Sequence, residues 1–450
     1  MPKNVTIAPE MATDKAIGLI ESATGTIKIE PGVYHFRFFV GNSGVEVIGD
    51  PESPPVFDYA GKDCQDFPGS SSGWLARYAW IIQADDVSVE NVVICNATGA
   101  NVRGLFPGPL GVVDEPARAG TMPKNVMLHN VSVYGCNEGL AATGENLVFD
   151  ECHFFDNGIL GKVSAIHNAY VQGGEIYFRN CNFGKALSGQ QINSRAKYLE
   201  IDNCDFDEVG SFMFLMNSPK ADAQPGQTIH QQFILKNSRL IGSRSIDGYT
   251  LSKVLDIDNQ ATTQGLYQEL VLENNIFRFP IDGRSNIVSL FPRQGTERII
   301  VKASGNEYHG GFGNYFRYRS SAMVKGDPMY DFHIEDHSDG SIPVTPLPTL
   351  DLDIEVLWEQ EITETLGGWK LFMDKKEIAD IPYAAGKELT AQRKITFRDK
   401  TTRFVMKAYN KYSKDAVSSD SNEVEVEVDL PNIDLTPPPP PTNLRIRVLS

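Results

Sequence analysis

No apolar run in this 450-residue chain reaches the roughly 18 to 20 residues needed to cross a bilayer, which speaks against membrane insertion. The opening, MPKNVTIAPEMATDKAIG, lacks the basic-then-apolar layout of a secretory signal, so the chain reads as made and folded in a cytoplasm. Positive charge is in deficit as well. The 41 Lys and Arg stand against 58 Asp and Glu, and the resulting formal charge of -17 repels phosphate backbones and speaks against nucleic acid as a partner. Cysteine is sparse: Cys64, Cys95, Cys136, Cys152, Cys181 and Cys204 form no CxxC pair and do not cluster with histidine. Metal ligation is therefore not expected, and no motif asks for a cofactor.

What the sequence does have is a short unit, apolar-x-apolar-x-Asn-x-x-apolar, that recurs along the chain. Its copies are VSVENVVI from Val87, VMLHNVSV from Val126, LVFDECHF from Leu147, IYFRNCNF from Ile176, LEIDNCDF from Leu199, FILKNSRL from Phe233, LVLENNIF from Leu270 and VKASGNEY from Val301. The alternation is that of strands with one buried face. The fifth slot holds Asn91, Asn130, Asn180, Asn203, Asn237 and Asn274, with Glu151 and Gly305 as exceptions. Asparagine tolerates left-handed backbone geometry and suits a tight corner between two strands. Stacked coils then set one amide above the next, as a structural ladder. Successive fifth slots lie 21 to 39 residues apart, too irregular for rigid repeats but compatible with three-strand coils that carry insertions at a corner.

The pattern resembles the pectate-lyase-like superfamily of right-handed parallel β-helices. The resemblance implies an all-β solenoid over residues 26–335, with residues 1–25, including a short helix around Asp14 to Ser22, as a cap over its open end. Cys152, Cys181 and Cys204 directly follow the fifth slot in consecutive coils and are expected to stack as buried free thiols.

From Gly340 the texture changes. SIPVTPLPTLDLD is proline-rich and reads as a linker over residues 336–350. Residues 351–430 have the spacing of a seven-strand sandwich. Trp358, GWKLF at Gly368 to Phe372, FVMKAYN at Phe404 to Asn410 and SNEV at Ser421 to Val424 resemble a fibronectin type III domain, which implies that Trp358 and Tyr409 are core aromatics. The tail, residues 431–450, has five consecutive prolines that favour extended geometry and ends in TNLRIRV, which resembles the first strand of another such module. A lone apolar strand invites pairing with another chain.

Chemistry is most suggestive at HNAYVQGG, His167 to Gly174, and one coil later at GQQINSRAK, Gly189 to Lys197. Counting 13 residues back from Asn180 and Asn203 gives His167 and Gln190, expected neighbours; the same count from Glu151 gives Glu138. Alternation from inward Ala169 and Ile192 sends Asn168, Tyr170, Gln191, Asn193 and Arg195 outward, a patch suited to sugar hydroxyls or carboxylates. Trp74, on the loop Cys64 to Arg77, is a candidate stacking platform, and the insertion Asn217 to His230 is a second candidate groove wall. Lyase chemistry needs a base and a cation, for which His167 and Arg195 are the candidates. Many bacterial β-helix proteins resemble this stretch with HN-x-Y-V followed by G-H-x-x-K-S-R-A. Here Gln190 and Asn193 replace that second His and the Lys, whereas Ser194, Arg195 and Ala196 are kept. A hydrolase would instead use paired carboxylates, for which Asp202, Asp205 and Asp207, with Asp150 and Asp156, are the available group.

The whole arrangement resembles bacteriophage tail fibres, spikes and capsid-surface proteins. That implies a virion location, cell-surface polysaccharide as ligand, and a tail strand that pairs with other virion proteins or further copies. Two alternatives remain open: a lyase or glycoside hydrolase acting on an acidic polysaccharide, and a purely architectural virion component.

Overall fold

The computed structural model describes residues 2–69, 78–98, 103–107, 122–158, 167–187, 189–209, 212–217, 228–242, 253–258, 265–279, 285–291, 296–310, 312–318 and 329–335, and, beyond these, 350–358, 366–373, 376–382, 390–397, 401–410, 413–417, 424–427 and 444–448. The chain divides into two units, Met1–Thr345 and Pro346–Ser450.

The first unit is a parallel β-helix. Each coil lays down up to three short strands, and each strand pairs in parallel with its counterpart on the next coil. The first sheet runs through Thr26–Ile29 and Glu46–Ile48 into the repeat strands. Val47, Val89, Leu128, Phe149, Phe178, Ile201, Leu235, Leu272 and Ala303 stand in one register column facing the interior, all buried. The second sheet follows the Asn corner. Its inward Phe154, Phe183 and Phe206 stack ring on ring at 5.2 and 4.7 Å, beside a first-sheet pair, Phe149 and Phe178, at 4.8 Å. Parallel registry forces like residues together, and aromatic columns are the apolar solution to that constraint.

At the corner between first and second sheets, Asn91, Asn130, Asn180, Asn203, Asn237 and Asn274 all take left-handed φ between 50° and 57°, as does Glu151 at 53°, and Gly305 continues the row at 67°. The backbone N–H of Asn180 donates to Asp202 O, and that of Asn203 to Lys236 O, on the following coil. Side-chain bonds join Asn130 to Asn91 and Asn203 to Asn180, each at 2.8 Å. Elsewhere the amide turns to a neighbouring carboxylate: Asn180 donates to Asp150, because Glu151 offers no amide, and Asn237 donates to Asp202, both at 2.8 Å. A second left-handed corner, between third and first sheets, carries Asp86, Asn125 and Asn146, bonded in series at 2.8 Å.

Just inside the Asn corner a second column converts chemistry along the axis. The backbone N–H of Cys181 meets the Cys204 sulfur at 3.4 Å, that of Cys204 donates to the Ser238 hydroxyl at 3.1 Å, Ser238 to the Asn275 amide at 3.0 Å, and Asn275 to that of Asn306 at 2.9 Å. Thiol, hydroxyl and amide thus serve one role, closing a backbone donor that the turn removes from the sheet. All six cysteines are buried and free. Burial pushes the Cys64 thiol up to about 12 and that of Cys95 up to about 11, so thiolate is scarce at neutral pH. With Ellman's reagent at pH 8, the folded protein should give no rapid reaction, and six thiols should appear in denaturant. A rapid burst from the folded chain would contradict the buried column.

At the N-terminal end, Val5–Ile7 pairs with Thr26–Ile29, and the helix Thr13–Ser22 buries Ala16 and Ile20. Among the described residues no helix is long and apolar enough to cross a membrane, and no group of three or more His, Cys, Asp or Glu is placed to hold a metal ion.

The second unit is antiparallel throughout. One sheet joins Thr390–Phe397, Leu350–Trp358 and Leu444–Val448; the other joins Lys376–Pro382, Leu366–Met373 and Thr401–Asn410, with Ser413–Val417 and Val424–Glu427 both pairing with Thr401–Asn410. The side chains of Trp358 and Tyr409, and the segments 336–349 and 428–443, lie outside the described residues. The tail strand, expected to pair with another chain, has one partner among the described strands. It pairs with Leu350–Trp358 of its own chain, Ile446 opposite Val356. A free edge in the same chain offers the same ladder bonds without the entropy cost of association.

Candidate functional site

The third sheet carries the suggestive segments, and its registers define the site. Leu140, Ala169, Ile192 and Phe214 point inward in one column. One residue on, Ala141, Tyr170, Asn193, Leu215, Asp256 and Ser289 form an outward row. Two residues further, Thr143, Gln172 and Arg195 form a second outward row, which Asn217 extends by following the Met216–Ser194 pair. These outward positions are not open surface: Gln172 and Asn193 are each 7% exposed, Thr143 and Asp256 2%, Asn217 1% and Ser289 0%. Tyr170 and Arg195 are half-buried. At the N-terminal end the same outer side is apolar, where Tyr78, Ile81 and Ala141 cluster with Phe39.

His167 and Gln190 sit side by side, as stacked coils require. The Gln190 backbone N–H donates to His167 Nδ1 at 3.2 Å, and Gly139 N–H donates to His167 O at 3.2 Å, which sets Glu138 on the preceding coil. The imidazole is 3% exposed. It lies 6.1 Å from the Tyr170 ring at 17°, and its Nε2 is 3.1 Å from the Asn193 carboxamide. With both ring nitrogens held, His167 is a positioned group and not a base free to take a substrate proton. Gln172 donates to the Thr143 hydroxyl at 2.8 Å, and the Asn193 and Asn217 carboxamides meet at 2.8 Å.

Asn168 and Gln191 do not join the outward patch. Both are 0% exposed, because they precede the strand, where the corner breaks strict alternation, and they turn inward to serve backbone carbonyls. Asn157 accepts from Cys136 N–H at 3.0 Å and donates to Val133 O at 2.9 Å and to Asn168 at 3.0 Å. Asn168 in turn donates to Gly184 O at 3.1 Å and to Gln191 at 2.5 Å. This is a polar spine satisfying a corner, and it removes two residues from any ligand surface. Trp74 lies outside the described residues, as do residues 70–77 and 218–227 of the two candidate loops.

The clustered aspartates do not converge on the third sheet. Asp205 pairs with Arg239 at 2.9 Å on the second sheet, Asp202 with Lys236 at 3.3 Å on the first, and Asp150 lies 3.5 Å from His129. Asp156 is an exposed left-handed corner residue, and the Asp207 side chain lies outside the described residues. Charges already partnered on two other sheets do not form a hydrolytic pair.

Thr143, Gln172, Asn217, Asp256 and Ser289 were not expected from the sequence. Gln172 is within reach of the alternation that marks Tyr170, whereas the insertion after Asn217 breaks the count from the next corner Asn237.

No family model matches the chain, and no curated protein is significantly similar to it. Solved structures are similar at low identity. An alginate lyase from Paenibacillus sp. str. FPU-7 shares 12% identity over 72% of this chain and 99% of its own, with a TM-score of 0.44. A pectin methylesterase from carrot shares 13% over 74% and 88%, with 0.37. The Dettilon tailspike protein shares 10% over 93% and 79%, with 0.36. These likenesses concern how the chain winds and assign no activity. The fold itself, evident from the strand registers, is a parallel β-helix.

Proposed function

We propose that this chain is a bacteriophage virion component that holds a cell-surface glycan against the outer side of its third sheet. One observation carries the reading: Thr143, Gln172, Arg195 and Asn217 repeat at coil spacing along the axis, next to Tyr170 and Asn193. A row of uncharged amides and a hydroxyl with one guanidinium and an aromatic ring is the chemistry of sugar recognition, where several modest hydrogen bonds and ring stacking act together. The net charge of -17 suits a particle surface that must not adhere to nucleic acid or anionic lipid. Binding without turnover fits the held imidazole of His167 better than lyase chemistry does.

The full chain should therefore retain at least one glycan class on an array of bacterial surface polysaccharides. Arg195→Ala should weaken that binding at least about tenfold, the scale of one charge-assisted hydrogen bond. Incubation with the bound polymer should yield neither unsaturated products nor new reducing ends. No retention across the array would leave an architectural role, and unsaturated products that vanish in Arg195→Ala would establish a lyase.

A further inference from the structure

The outer side of the first sheet differs from that of the third. One residue before the buried column, Met127, Val148, Tyr177, Glu200, Ile234 and Val271 stand in register as an outward row, one to each coil. Five of the six are apolar or aromatic. Met127 is 41% exposed and the others are half-buried, whereas the solvated face of a sheet is normally polar at such positions. Two residues on in the same strands, Asp150, Arg179, Asp202 and Lys236 alternate in sign from coil to coil. Two residues back, Glu175 adjoins Tyr198.

These rows are complementary to themselves. A twofold axis that runs along the strands and passes between the coils of Tyr177 and Glu200 inverts coil order and keeps strand position. It brings Met127 onto Val271, Val148 onto Ile234 and Tyr177 onto Glu200 of a second copy. In the flanking rows it brings Arg179 onto Asp202, Asp150 onto Lys236 and Tyr198 onto Glu175, and among these six pairs no like charges meet. Moving the axis one coil toward the N-terminus sets Met127 on Glu200, and one coil the other way sets Val148 on Lys302. A twofold along the solenoid axis sets Glu200 on Glu200 and Glu273 on Glu269.

We propose that this face is a homodimer interface in which two copies of the chain pack with their solenoid axes antiparallel. The apolar pairs supply the attraction. The charges keep their partners within the chain, Arg179 at 5.0 Å from the Tyr177 ring and Lys236 at 3.3 Å from Asp202, so across the interface they fix register more than they add affinity. At a ladder spacing of about 4.8 Å and a strand rise of about 3.3 Å per residue, the three rows offer a face of about 400 Å² per copy. That is about half the size of a long-lived complex, so the dimer should form at about 10–100 μM. The interface is independent of the glycan reading, because it uses a different sheet from the proposed binding rows.

Sedimentation velocity of the full chain over about 1–300 μM should show a monomer passing to a dimer. Met127→Lys and Val271→Glu should each weaken dimerisation at least about tenfold, because each sets a charge on an apolar residue twice per dimer. Circular dichroism should show both variants folded, as both positions face outward. Mixed one to one, the two variants should regain the native affinity within about threefold, because an antiparallel heterodimer holds one Lys–Glu pair and one native Met–Val pair. Should either variant fail to fold, Val148→Glu and Ile234→Lys test the same pairing one coil nearer the axis. A chain that stays monomeric throughout, or that forms a trimer, overturns the twofold interface. A dimer indifferent to the single variants overturns this face as its site, and a dimer weakened by each variant but not restored by mixing overturns the antiparallel register.

Discussion

Phe183→Ala should lower the unfolding free energy by about 3–5 kcal/mol, the range for deleting a buried phenyl ring. Phe183 is fully buried and lies between Phe154 at 5.2 Å and Phe206 at 4.7 Å, with Phe178 edge-on at 5.4 Å. The two stacked neighbours belong to adjacent coils whose spacing is fixed by three parallel ladders, so the space cannot close by local collapse. Each coil contacts chiefly its neighbours, and the loss should appear as earlier opening of coils around Phe183 before the rest of the solenoid. Urea titration followed by far-UV circular dichroism, with hydrogen exchange to locate the opening, measures both. Phe183→Leu keeps most of the apolar volume and should cost less than half as much. A loss under about 1 kcal/mol for the alanine variant would show that the ring column is not what spaces these coils.

Asn203→Ala should cost about 2 kcal/mol or more, and Asn203→Gly only about 1. Asn203 holds φ at 54° and donates to Asn180 at 2.8 Å. Both variants lose that bond. Alanine also places a Cβ in the left-handed region, at a further cost of about 1–2 kcal/mol, whereas glycine enters it freely. The expected order, glycine milder than alanine, inverts the usual order inside strands and helices. Equilibrium unfolding of the two variants decides it, and alanine proving equal to or milder than glycine would contradict a left-handed corner.

The same corner explains what could be read in advance. Asparagine at a fixed slot carries its own reason, because few other residues take positive φ at small cost, so corner, strand alternation and coil order follow from local chemistry. The cysteine column is visible for the same reason in three coils, Cys152, Cys181 and Cys204, but its continuation through Ser238, Asn275 and Asn306 is hidden, since hydroxyl and amide share with thiol only a place in space. At the site, His167 beside Gln190 follows from counting residues, whereas the inward turn of Asn168 and Gln191 does not. Alternation holds within a strand and fails at its entry, where unpaired carbonyls compete for side-chain donors.

The amino-acid sequence by itself determined the winding of the solenoid, the residues at its corner and the apolar columns within it, because those depend on φ preference and on a period of two. Only the tertiary structure decided that Asn217, one coil beyond Arg195, meets Asn193 and that the clustered aspartates disperse into ion pairs on other sheets. It also decided that the tail strand returns to its own chain. Each of these depends on which segments an insertion of unpredictable length brings into register, and that is settled by packing between coils and not by any residue's own preference.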